Sequence, residues 1–105
     1  MSQSDVKIIL KKYLELVNMK YPVQNAYLFG SYAKGTWHEG SDIDVCVVSP
    51  AFGKDYFDEE SLLRRDTFKV DSRISPVAFN PADFAEKYNL LAHEIKTYGI
   101  PLISQ

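Results

Sequence analysis

Apolar residues recur at helical spacing near the start of the chain. Val6, Ile9, Leu10, Tyr13, Leu14 and Val17 form one stripe, with Lys7, Lys11, Lys12 and Glu15 on the other faces. This predicts a helix from Ser4 to about Met19, capped by Ser4, ended by Tyr21-Pro22 and laid over a sheet. The period then changes. Ala26 to Phe29 is a short apolar run, expected to be the first strand, and Asp42 to Val48 is a second, closed by Ser49-Pro50. Ala51 to Glu60 is polar and reads as a loop that a ligand or partner orders; Glu59 to Phe68 begins as a helix. Beyond it Val70, Ser72 and Ile74 alternate with Asp71, Arg73 and Ser75, predicting a third strand. Asn80-Pro81 opens a turn, with Asn80 as a cap. Leu90, Leu91, Ile95 and Tyr98 mark a last helix from Asn89 to Tyr98, stopped by Gly99. Ile100 to Ser104 reads as a final strand that Pro101 confines to an edge.

The chemistry gathers between the first two strands. The first stops at Gly30-Ser31, a pair that offers backbone N–H groups, a hydroxyl and no bulky side chain, which suits a polyphosphate. A short helix from Ser31 to Lys34 is expected there, with Lys34 close enough to contact phosphate. The loop Gly35 to Gly40 holds Trp37, open to packing or to a base or partner, and His38, an exposed histidine that reads as solvated. Asp42 and Asp44 stand two apart at the start of the second strand, so they share a face while Ile43 and Val45 face the core. Two carboxylates aimed at one spot repel each other, and a hard cation such as Mg²⁺ or Mn²⁺ relieves that repulsion.

Two other phosphate motifs fail on their residues. Gly30 and Gly35 have the P-loop spacing, but Thr36 and Trp37 follow where Lys and Ser/Thr are needed; Gly30, Gly35 and Gly40 do not make a dinucleotide fingerprint. A net charge of −2 argues against a nucleic-acid binder. The lone cysteine, Cys46, excludes an intramolecular disulfide and reads as a buried reduced thiol, which fits a cytoplasmic location. No apolar stretch approaches the roughly 20 residues of a membrane span, and the start is not a signal peptide. Residues 1–105 are expected to form one domain.

Gly30-Ser31, ten intervening residues, then Asp42-Ile43-Asp44-Val45 resembles the signature of the nucleotidyltransferase superfamily, the group with the DNA polymerase β fold. With Ala33 and Gly35 in the linker and Ser41 before Asp42, the chain looks most like the minimal nucleotidyltransferases. The resemblance implies an α/β fold, a small mixed twisted sheet of about four strands flanked by helices. It implies that Asp42 and Asp44 hold two Mg²⁺ ions, with Mn²⁺ as a substitute. Gly30, Ser31, Lys34 and Ser41 are then the nucleotide-binding candidates, with ATP as substrate. Relatives place a third carboxylate on the next strand behind an apolar residue, which Val70-Asp71 matches, with Asp66 as the fallback. Ser72, Arg73 and Ser75 depart from the apolar continuation of that strand.

Minimal nucleotidyltransferases are commonly paired with a HEPN-family protein from a neighbouring gene, as antitoxins that transfer AMP to a tyrosine of the toxin. The resemblance therefore implies a hetero-oligomer. Two alternatives stand beside it: a non-catalytic antitoxin that acts by occlusion, and a nucleotide-binding subunit of a larger transferase. Seven tyrosines fit a protein interface. His93, on the last helix, is expected to be core or surface.

Overall fold

In a computed structural model of the protein, which describes residues 1–103, the first helix, α1, runs Gln3–Asn18. Its cap is Ser2 rather than Ser4. The Asp5 N–H donates to Ser2 Oγ at 3.1 Å and the Ser2 N–H donates to Asp5 Oδ2 at 2.9 Å, closing a reciprocal capping box. A cap at Ser4 would put Lys7, which has no acceptor, in the position that Asp5 fills. Val6, Leu10, Tyr13, Leu14 and Val17 are buried as the stripe predicts, and Ile9 packs at its margin.

The order continues as β1 (Asn25–Phe29), α2 (Ser31–Lys34), β2 (Ile43–Val48), α3 (Tyr56–Thr67), β3 (Ile74–Phe79), α4 (Pro81–Phe84), α5 (Leu90–Tyr98) and β4 (Ile100–Pro101). The strands form one sheet in the order β3-β2-β1-β4. β1 runs antiparallel to β2 and β4, and β2 runs parallel to β3, so the sheet is mixed, as expected for this fold. β4 and its Pro101 lie at an edge; Ser104, where the expected strand ended, lies outside the described residues. Among the described residues no helix is long and apolar enough to cross a membrane.

Alternation along the strands divides the core. Leu28, Ile43, Val45, Val47, Ile74 and Ala78 pack with α1 and with Leu63 of α3 on one face. Phe29, Cys46, Val48 and Phe79 pack with Phe84, Ala92 and Ile95 of α4 and α5 on the other. Burial pushes the Cys46 thiol up to about 12, so it stays a neutral core residue.

Two expectations are corrected. α3 starts at Tyr56, not Glu59, because Asp55 caps it by accepting the Asp58 N–H at 3.2 Å. The preceding loop packs back on the chain. Phe52 is buried against the Tyr21 ring, with centroids 4.9 Å apart, and Glu59 accepts the Gly53 N–H at 2.9 Å. The second correction concerns β3, which starts at Ile74 although the alternation began at Val70. The Val70 and Asp71 N–H groups donate to Thr67 O at 3.0 and 2.8 Å, and the Ile74 N–H donates to Asp71 O at 3.1 Å, so this stretch is consecutive turns.

Asp66, the fallback third carboxylate, is structural. It is buried on α3, where it accepts Lys20 Nζ at 2.9 and 3.2 Å, with Lys69 Nζ at 3.6 Å. Asp66→Ala is expected to cost about 1–3 kcal/mol, the range for a charge-assisted hydrogen bond with one solvent-screened partner. Urea unfolding measures that loss, and nucleotide binding by the variant below its unfolding range should be unchanged.

Candidate active site

Gly30 follows β1 and caps α2 at φ 71° and ψ −150°, a positive-φ conformation that L side chains rarely adopt. Its carbonyl accepts the Ala33 and Lys34 N–H groups at 3.1 Å each, which folds Ser31–Lys34 into a single helical turn. Asp44 fills the space beside it. A Cβ built on Gly30 would lie 2.2 Å from Asp44 Oδ2, so the carboxylate rests directly against the glycine. Cross-strand pairing produces this contact, since Phe29 at the end of β1 is the register partner of Asp44. The glycine of the Gly-Ser pair and the second aspartate of the Asp-x-Asp are therefore neighbours in space.

Asp42 immediately precedes β2 and is exposed, while Asp44 is half-buried within the strand. Burial raises the Asp44 carboxyl above its ordinary value, and the charges of Asp42 and then Glu94 push it the same way. Asp44 is thus a partly desolvated acid among like charges, and hard oxygen donors under such repulsion suit a divalent cation. Asp42 and Asp44 fit the expected metal. A set of three does not assemble: among the described residues no three His, Cys, Asp or Glu side chains are grouped to hold a metal ion.

Asp71, expected on a strand as the third carboxylate, lies instead in the turn before β3. Its Oδ1 accepts the backbone N–H and the Nε–H of Arg73, each at 2.9 Å, and its Oδ2 accepts Nη2 at 2.6 Å. The hydrogen bonds from the Arg73 side chain, its largest influence, hold the Asp71 carboxyl below the usual carboxylate range. An Asp two residues before the N–H it accepts is a turn-former, which an alternation pattern does not distinguish from a strand residue.

The remaining candidates divide. Lys34 reaches across to α5, where Nζ donates to Glu94 Oε1 at 2.6 Å and sits 5.1 Å from the centre of the Tyr98 ring. Ser41 is buried and closes the linker, its Oγ accepting the His38 N–H at 2.9 Å while its own N–H donates to His38 O at 3.0 Å. Trp37 stacks on Tyr32 with ring centroids 5.3 Å apart, and His93 is exposed on α5. Two positions escaped the sequence reading. Glu94 is fifty residues from Asp44 in the chain, and only the packing of α5 brings its charge there. Ser75 is the register partner of Asp44 on β3, a relation that no local pattern encodes.

The nucleotidyltransferase domain profile matches residues 10–97. A Methanocaldococcus jannaschii protein named as a protein adenylyltransferase is 36% identical over 81 residues, which cover 74% of this chain and 83% of that protein. Of two others from that organism with the same kind of name, the chain spans about half the length, 44% and 55%. The Shewanella oneidensis protein adenylyltransferase MntA is 46% identical over 39 residues, 36% of this chain and 28% of MntA. Among solved structures, a toxin-antitoxin with AMP-PNP superposes with a TM-score of 0.68 at 28% identity, covering 94% of this chain and 73% of that one. The apposed Gly-Ser turn and Asp-x-Asp strand, the mixed sheet and the matched profile agree: the chain belongs to the nucleotidyltransferase domain family.

Proposed function

We propose that this protein transfers AMP from ATP to a hydroxyl on a partner protein, and that the partner is a HEPN-family toxin modified on a tyrosine. The observation that carries this reading is the contact between Gly30 and Asp44, which supports reading the turn as the phosphate cradle and the carboxylate beside it as a metal ligand. In this reading Gly30 and Ser31 hold the β/γ end of the triphosphate, and Lys34, steadied by Glu94, adds positive charge from the end of α2. Asp42 and Asp44 hold Mg²⁺. When bound, the cation neutralises the triphosphate and makes the α-phosphorus more electrophilic. The acceptor oxygen attacks that phosphorus in line, the bond to the β-phosphate oxygen breaks, pyrophosphate leaves and the hydroxyl proton passes to solvent. The relatives' names support the protein as acceptor, and the toxin-antitoxin neighbour supports the toxin as partner.

A second reading, a non-catalytic antitoxin, is favoured by one observation: Asp71 is tied to Arg73 and is not on β3. Intact-mass measurement of the partner after incubation with this chain, ATP and Mg²⁺ separates the two. A gain of one or more AMP units is expected. An unmodified partner in a stable complex would instead establish inhibition by binding.

A further inference from the structure

In the parallel pairing of β2 with β3, register partners project from the same face. Ile43 and Ile74 both enter the core under α1 and α3, while Val48 and Phe79 both enter the core under α5. Asp44 is partnered by Ser75 and so shares that second face with it. Adjacent strands lie about 4.8 Å apart, so position 75 is where a β3 side chain stands next to Asp44. It carries a hydroxyl. The acids nearest to it in sequence are engaged elsewhere, Asp71 by Arg73 in the turn, Asp83 by the Tyr56 hydroxyl and Asp66 by Lys20 on α3, and Glu94, whose charge reaches Asp44, is paired with Lys34.

From this register we infer that the site holds one divalent cation together with the nucleotide, not two, and that Ser75 is the residue that withholds the second. The inference rests on the reading that Asp42 and Asp44 bind the metal–nucleotide. One Mg²⁺ needs no more than one or two carboxylates when substrate phosphates and water complete its shell, which the Asp42–Asp44 pair provides. A second cation on the acceptor side needs a further anionic donor beside Asp44, and a neutral hydroxyl gives it little hold. The acceptor hydroxyl then reacts without a metal of its own, so nucleotide binding is retained while transfer is slow.

Counting Mn²⁺ by the loss of its free electron paramagnetic resonance signal, with a saturating, uncleavable α,β-methylene ATP analogue, tests this without any acceptor. One ion per ternary complex is expected for the native chain and for Asp71→Asn, and two for Ser75→Asp. Two ions on the native chain would overturn the inference and leave the Asp42–Asp44 reading standing. None would overturn both. A folded Ser75→Asp variant, checked by circular dichroism, that still binds a single ion would remove Ser75 as the determinant. Should that variant not fold, the native count decides alone.

Discussion

Asp42→Asn and Asp44→Asn are each expected to lower AMP transfer by about 10²–10³-fold, the effect of removing one preorganised electrostatic contact from a reacting phosphate, with the fold intact. Their effects on stability should differ. Asp42 is exposed, and its neutral replacement should leave metal-free unfolding nearly unchanged. Asp44 has a folded-state pKa raised above the 3.8 of an unperturbed aspartate. The folded protein therefore holds that proton more tightly than the unfolded chain. The stability linked to the proton is full below the unfolded value and is lost as pH rises through the folded one. At neutral pH without metal, Asp44→Asn removes a disfavoured charge, and the variant should melt at a higher temperature than the native chain. Metal and nucleotide reverse the order. A ligand at a hundred times its Kd stabilises the native protein by about 2.7 kcal/mol, and the variant should lose most of that gain. Thermal melts with and without Mg²⁺ and α,β-methylene ATP, beside the partner's intact mass, read both effects. Unchanged transfer by the double variant would remove the carboxylates from the mechanism.

The parts of this site that the sequence reveals are local. Gly30-Ser31 between two apolar runs states where a strand must stop and a helical turn begin, and Asp42-Ile43-Asp44 states which face the acids take. Both devices work within a few residues; the structure keeps the strand stop and the helical turn, and sets Asp44 in β2 with Asp42 just before it. The helix stripes are equally local, so α1 and α5 were legible to within two residues at each end. Their caps follow from side-chain partners as well as from residue type. Asn89 holds the Ala92 N–H as a lone cap, whereas Ser2 prevails over Ser4 because Asp5 answers it.

What stayed hidden is what needs a second element. Val70 to Ser75 alternates like a strand, but Thr67 and Asp71 take up the backbone groups in turns before β3 begins. The position facing Asp44 is therefore Ser75, two residues beyond the Arg73 that Asp71 holds, and only the β2–β3 register reveals it. Glu94 is a similar case. On α5 it reads as one more solvated acid, and it reaches the site because Ala92 and Ile95 bury the helix on the Asp44 face. Both residues come to Asp44 through tertiary pairing.

Gly30→Ala and Gly35→Ala separate backbone strain from chemistry, because both glycines have a positive φ and differ in what surrounds them. Gly35, at φ 78° and ψ 16°, is left-handed helical, so alanine there costs about 1–2 kcal/mol; Gly30, at φ 71° and ψ −150°, lies in a region nearly confined to glycine, where alanine costs about 1–3 kcal/mol, each kcal/mol being roughly 4–8 °C in melting temperature. At Gly35 a Cβ meets nothing within 4 Å, and that cost is the whole effect. At Gly30 the Cβ would lie 2.2 Å from Asp44 Oδ2, and the side chain that can give way is the carboxylate itself. Swinging it aside moves an expected metal ligand, and a misplacement of about 1 Å costs on the order of 10²-fold in rate. Both variants should therefore melt lower, Gly30→Ala by at least as much as Gly35→Ala. Gly35→Ala should retain nucleotide–Mn²⁺ affinity and transfer below its melting point, while Gly30→Ala loses both. Equal activity in the two would mean that Asp44 works from a position that does not depend on the bare glycine, and the Gly30–Asp44 contact would no longer carry the proposed mechanism.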